Sequence, residues 1–159
     1  MDSVLDLLRN NARLTPSEIA TRLGIKEAEA VEAVARLEMD GIILGYTAVL
    51  DENRAGGPRG VTAFIEVKIS PDSGGFDRIA KRVAQYEQVR SCYLMSGGYD
   101  LAVVVEGKDL YEVAIFVAEK LAPLSGVLST ATHFRLRTYK HEGHLLSPAS
   151  DGERLPVMP

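Results

Sequence analysis

The sequence predicts an α+β chain in two parts: a winged helix-turn-helix, then a βαββαβ unit of ferredoxin-like form. Three observations predict it. Two short helix patterns meet at a glycine turn, and the first carries a full start signal at Thr15-Pro16-Ser17-Glu18. A turn-forming, glycine-rich stretch at residues 51–60 interrupts the apolar pattern. Beyond it, apolar periods of 2 and 3.6 alternate in the order strand, helix, strand, strand, helix, strand. The expected division is therefore residues 1–50 for the winged helix-turn-helix, 51–60 for a linker, 61–141 for the βαββαβ unit and 142–159 for a tail.

The helices of the first part follow from their local signals. Val4, Leu5 and Leu8 share a face at helical spacing, predicting a helix over about residues 2–12. For the second helix, Thr15 can accept from the free N–H groups of the first turn. Pro16 has its φ pre-set, and Glu18 can reach back to close a capping box. Ile19, Ala20 and Leu23 form its apolar face, and Gly24 ends it because glycine takes the left-handed conformation without steric cost. A third helix over about 26–40 is expected to bury Val31, Val34 and Leu37, flanked by Ala30 and Ala35, and to stop at Gly41. Ile42 to Leu50 then reads as the wing or linker strand.

In the second part, Val61, Ala63, Ile65, Val67 and Ile69 alternate as a half-buried strand. Phe76, Ile79, Ala80 and Val83 mark a helix over 75–86. Strands at about 89–96 and 101–106 flank Gly97-Gly98-Tyr99-Asp100, a loop short enough to make them a hairpin. A helix over 109–122 uses Leu110, Val113, Ala114, Val117 and Leu121, and a last strand runs from Val127 to Tyr139. This order folds into a four-stranded antiparallel sheet with both helices on one face. Thr62, Phe64, Ala102, Val104 and Phe134 alternate with core positions, so an apolar outer face is expected. Such a face needs a cover, and a second copy of the chain supplies one.

Composition narrows the function classes. The 159 residues are 46% hydrophobic and 25% charged, as in a folded globular chain. No run of about 18 apolar residues occurs, so no membrane span is expected. Met1-Asp2-Ser3-Val4 lacks the basic start and long apolar core of a secretory signal. The lone Cys92 fits as a small buried hydrophobe, and a reducing cytoplasm is the expected compartment. The net charge of −4 includes five basic against eight acidic side chains in residues 1–50. A nucleic-acid role must therefore rest on architecture, because the basic footprint that releases counterions is missing.

Five short motifs, in order and at suitable spacing, carry a resemblance. They are Asn11-Ala12-Arg13-Leu14-Thr15, Arg36-Leu37-Glu38, Gly41-Ile42-Ile43, Gly45-Tyr46-Thr47-Ala48 and Ser96-Gly97-Gly98-Tyr99-Asp100. Over about residues 2–141 the chain resembles the Lrp/AsnC, or feast/famine, family of transcriptional regulators, whose second domain is RAM/ACT-like. The resemblance implies a sequence-specific regulator that binds double-stranded DNA and dimerises through its C-terminal sheet. It also implies further association into tetramers or octamers and a small effector, often an amino acid. The positions matching the family's effector cleft are Gly97, Gly98, Tyr99, Asp100, Thr130 and Thr132. Glycine N–H groups admit a carboxylate closely, and Asp100 can accept from an ammonium group, although the same residues also suit a plain turn.

The expected DNA contacts are Arg13, Thr15, Ser17, Lys26, Glu29, Glu32, Ala33 and Arg36, on or beside the helix that enters the major groove. That helix is acidic for its task. Lys26 offers no acceptor to cap it, and Glu32 and Arg36 stand four apart, where they can pair with each other. Two other readings compete. One is a small-molecule sensor whose helical part has become a protein-interaction module. The other is an enzyme like the siroheme decarboxylases, for which His133, Arg135 and Arg137 on one face of the last strand would hold carboxylates. Three histidines in all, His133, His141 and His144, offer little acid–base machinery, so neither catalysis, a metal nor a cofactor is expected.

Overall fold

The computed structural model describes residues 3–55, 60–71 and 74–146. The chain divides into two compact units, Met1–Val49 and Leu50–Pro159.

The first unit holds α1 (Ser3–Asn10), α2 (Pro16–Leu23) and α3 (Glu27–Met39). The start of α2 is built as its residues dictate. The Glu18 N–H donates to Thr15 Oγ1 at 3.3 Å, and the Thr15 N–H donates to Glu18 Oε2 at 2.7 Å. Gly24 ends the helix in the left-handed region at φ 67°. Val4, Leu8, Leu14, Ile19, Ala20, Ala30 and Leu37 form the core. On α3 the buried stripe is turned from the expected one. Ala30 is fully buried, Ala33 and Val34 pack against the core, and Val31 is 47% exposed. Ala30 packs among the core side chains of the three helices.

After α3, the N–H groups of Ile42 and Ile43 both donate to the Leu37 carbonyl at 3.0 Å, and the Tyr46 hydroxyl donates to Glu38 at 2.9 Å. Partial burial, then the Glu38 carboxylate, raises the Tyr46 pKa above its ordinary value. The strand expected over 42–50 does not form. A strand needs a neighbour's N–H and C=O groups, and the three helices of this unit offer no edge. Ile42, Leu44, Tyr46 and Val49 are accordingly exposed.

The second unit contains a helical turn α4 (Glu52–Ala55) within the expected linker, then β1 (Val61–Ile69), α5 (Phe76–Val83), β2 (Val89–Leu94) and β3 (Leu101–Gly107). Next come α6 (Leu110–Ile115), continued by a π-helical turn over Phe116–Leu121, and β4 (Val127–Phe134). The sheet order is β2-β3-β1-β4, all antiparallel. Ala63, Ile65, Val67 and Ile69 of β1 and Leu101, Val103 and Val105 of β3 face Ile79, Val83, Val113, Phe116 and Leu121 from the helices. The π turn explains why Phe116 anchors this core although a regular helical wheel omits it. Its i→i+5 bonds, such as Ala122 N–H to the Val117 carbonyl at 2.8 Å, bring Phe116 and Leu121 to one side.

One residue expected on the outer face lies elsewhere: Phe134 pairs with Ala63 and packs on the helix side. Thr62 keeps the alternation of Phe64 but is buried, its carbonyl accepting from the Arg135 N–H at 2.9 Å. The outer face carries Ser91 and Tyr93 (β2), Ala102 and Val104 (β3), Phe64, Glu66 and Lys68 (β1) and Ser129, Ala131 and His133 (β4), as the register requires. β4 stops at Phe134, five residues short of the expected end. Residues 140–145 form a small hairpin of β5 (Lys140–His141) and β6 (His144–Leu145). The rest of the expected tail, residues 147–159, lies outside the described residues.

Candidate nucleic-acid interface and ligand site

The helix-turn-helix surface is built from α2, the Gly24 turn and α3. Arg13, Thr15, Ser17, Lys26, Glu29, Glu32 and Arg36 are all exposed on it. Ala33 is only partly exposed, because α3 is turned so that this residue packs against the core. Two of the others have local duties. Thr15 is engaged in the capping box, where its backbone N–H, then its hydroxyl, lower the Glu18 pKa from its ordinary 4.5. Glu29 Oε2 accepts the Lys26 backbone N–H at 2.8 Å, which holds the start of α3 where the lysine side chain offers no acceptor. The expected Glu32–Arg36 ion pair is not formed. Among the described residues neither Glu32 nor Arg36 comes within 4.0 Å of an oppositely charged group.

The second site lies at the end of the sheet where β2 turns into β3. Gly97 has φ 124°, a conformation that side chains rarely adopt, so a glycine is required there. A Cβ at Gly98 would meet nothing within 4 Å, so its backbone stands open to a ligand. None of the described backbone hydrogen bonds uses the N–H of Gly97, Gly98 or Tyr99. These donors face no competing acceptor, an arrangement suited to a carboxylate.

Asp100 ties this hairpin to β1. Its backbone N–H donates to the Val67 carbonyl at 2.9 Å, and its Oδ2 accepts the Ile69 N–H at 2.7 Å. That N–H is at a bulge, where the β1–β4 register shifts between Lys68 and Ile69. Asp100 thus supports the loop, and its second oxygen is left for another donor. β1 separates this hairpin from β4, where Thr130 pairs with Val67 and Thr132 with Ile65. Both threonines are half-buried on the helix side of the sheet.

Sequence reasoning missed Lys68, whose Nζ donates to the Gly98 carbonyl at 3.1 Å. It places a cation beside the open glycine backbone. Only the period-2 pattern of β1 marks it as solvent-facing, and nothing local shows a contact thirty residues away. His133, Arg135 and Arg137 are not arrayed on one strand face. His133 pairs with Glu66 at 3.5 Å across the outer face, and the other two follow the end of β4. Among the described residues no group of three or more His, Cys, Asp or Glu could hold a metal, and no helix is long and apolar enough to cross a membrane.

A helix-turn-helix on its own core, joined to a separate sheet domain with an open loop, defines a DNA-binding regulator that carries a ligand-binding domain. Comparison with known proteins agrees. A model of the winged helix-turn-helix DNA-binding domain matches residues 3–43, and one of the Lrp/AsnC ligand binding domain matches residues 62–145. The chain belongs to the Lrp/AsnC family of transcriptional regulators. It is 41% identical over 157 residues to YugG, an uncharacterized HTH-type transcriptional regulator of Bacillus subtilis, covering 98% of this chain and 95% of that one. It is 27% identical to the leucine-responsive regulatory protein of Escherichia coli, over 91% and 87% of the two chains. Among solved structures, a transcriptional regulator of Neisseria meningitidis in complex with L-Met superposes with a TM-score of 0.68 at 27% identity, covering 87% of this chain and 89% of that one.

Proposed function

We propose that this regulator senses a free amino acid at the β2–β3 hairpin and reports it to DNA through α3. The observation that carries the reading is the open Gly97-Gly98 backbone, with unused N–H groups beside Lys68 and an Asp100 oxygen. Backbone donors and a cation suit an α-carboxylate, and the aspartate suits an α-ammonium group. The L-Met complex of the Neisseria relative supports an amino acid as effector.

The reading includes self-association. Phe64, 48% exposed, with Tyr93, Ala102, Val104 and Ala131 makes the centre of the outer sheet face apolar, and a second copy covers it in a dimer. Dimers joining further give tetramers or octamers. A dimer presents two α3 helices to half-sites about 34 Å apart, which compensates for an acidic helix that grips weakly alone. Arg13, Ser17, Lys26 and Arg36 serve as the phosphate-side contacts.

A thermal-shift screen of the twenty amino acids tests the sensing claim. A ligand present at a hundred times its Kd adds about 2.7 kcal/mol to stability. One or a few amino acids should raise the melting temperature, and Gly98→Val should abolish that rise by filling the approach. A screen in which no amino acid moves the melt would overturn the reading.

A further inference from the structure

Where α3 meets base edges, its outward face is apolar and acidic, without a basic residue at its centre. With about 3.6 residues per turn, Ala28, Glu32 and Ala35 fall within an arc of about 60°, opposite the buried Ala30 and Leu37. All three are exposed. Arg36 stands at one flank of this arc and Val31 at the other, and Met39, 81% exposed, prolongs the face at its C-terminal end. The single lysine, Lys26, lies at the N-cap rather than on the face.

We propose that this regulator reads thymine and cytosine, not guanine: Ala28 and Ala35 contact thymine 5-methyl groups, and Glu32 accepts from a cytosine amino group. This rests on the reading that α3 lies in the major groove. There, guanine presents two acceptors that call for arginine or lysine, and this arc has neither. The thymine methyl group instead takes apolar contact, and the cytosine N4 group takes an acceptor. Alanine suits the role because its short side chain lets the helix backbone come close to the base. Glu32 has no ion pair in the protein, so its carboxylate is free to accept. Between phosphates an unsatisfied carboxylate would oppose binding, and the cytosine amino group relieves that cost. Arg36, at the flank, is placed for the phosphate backbone. Specificity therefore resides in small contacts, while the basic residues around them set affinity.

The test uses the full-length protein and a random duplex pool to select a preferred site. That site is then remade with deoxyuridine in place of each thymidine in turn, which removes only the methyl group. Each contacted methyl lost should weaken binding about fourfold, from about 0.8 kcal/mol per buried methyl-sized group. The effect should fall at positions repeated in both half-sites. A second selection uses Glu32→Gln, at an exposed position without an intramolecular partner, and should replace a selected cytosine by adenine. Tight binding that is indifferent to every deoxyuridine, with Glu32→Gln selecting the unchanged site, would overturn this proposal and leave the DNA-binding reading intact. A pool from which no duplex is enriched would overturn both.

Discussion

The two units of this chain solve the same problem with different means. Among the described residues the core of the helical unit holds seven buried side chains, of which Val4, Leu8 and Ile19 are typical. That of the sheet unit holds thirteen buried apolar side chains among the described residues, around Phe116, Ile65 and Leu101. The small core is supplemented by local devices at helix ends, namely the Thr15–Glu18 box, the Gly24 cap and the Glu29 bond to Lys26. The large core depends on register among strands far apart in sequence. The proposed sites follow the same division: the DNA-facing one on the outward face of α3, whose N-cap side chain makes no capping bond, and the ligand site at a turn held by long-range bonds from Asp100 and Lys68.

The comparison can be broken most severely in the sheet unit. Phe116→Ala removes a 2% exposed ring that packs edge-on against Tyr86 at 5.5 Å. It should cost about 3–5 kcal/mol, read as a lowered urea midpoint, because the cavity sits in a core without slack. Asp100→Ala leaves the Ile69 N–H without its acceptor and should cost about 1–3 kcal/mol by the same measurement. Asp100→Asn keeps an acceptor, so it should recover most of that stability while weakening amino-acid binding. In the helical unit the effects are smaller. Lys26→Ser supplies the acceptor that the start of α3 lacks, and should stabilise by about 0.5–1 kcal/mol in thermal melts.

The smallest effect is a pH dependence. The folded pKa of Glu18 lies below its ordinary 4.5, so its contribution is complete above that value and is lost as pH falls through the folded pKa. Thermal melts between pH 6 and pH 3 should show a shallow loss that Glu18→Gln removes, since the amide does not titrate.

How far each region could be read from sequence follows from the same difference. The start of α2 and its glycine stop were legible because every partner lies within four residues. The succession of strands and helices in the sheet unit was legible from alternating periods. The rotation of α3 was not, since Ala30 and Val31 are both apolar and only the facing helices decide which one fits. Phe116 was hidden by the π turn, which breaks the helical period. The face of Phe134 was hidden by a strand whose sequence, Ser129-Thr130-Ala131-Thr132-His133-Phe134, alternates weakly. The absent strand at 42–50 shows the limit most plainly: residues with strand character form no ladder where no edge adjoins them. At the candidate ligand site the glycines and Asp100 were visible, whereas Lys68 was not, because its contact is made by the fold alone.

The central claim is that occupancy of the hairpin in one unit alters the grip of the other on a duplex. Its most direct test is the affinity of the full chain for a selected duplex, measured at fixed salt with and without the amino acid that raises the melting temperature. A coupling of 1–3 kcal/mol, typical between linked sites, predicts a change in Kd of about 5-fold to 150-fold in one direction or the other. An unchanged Kd at saturating amino acid would contradict the account.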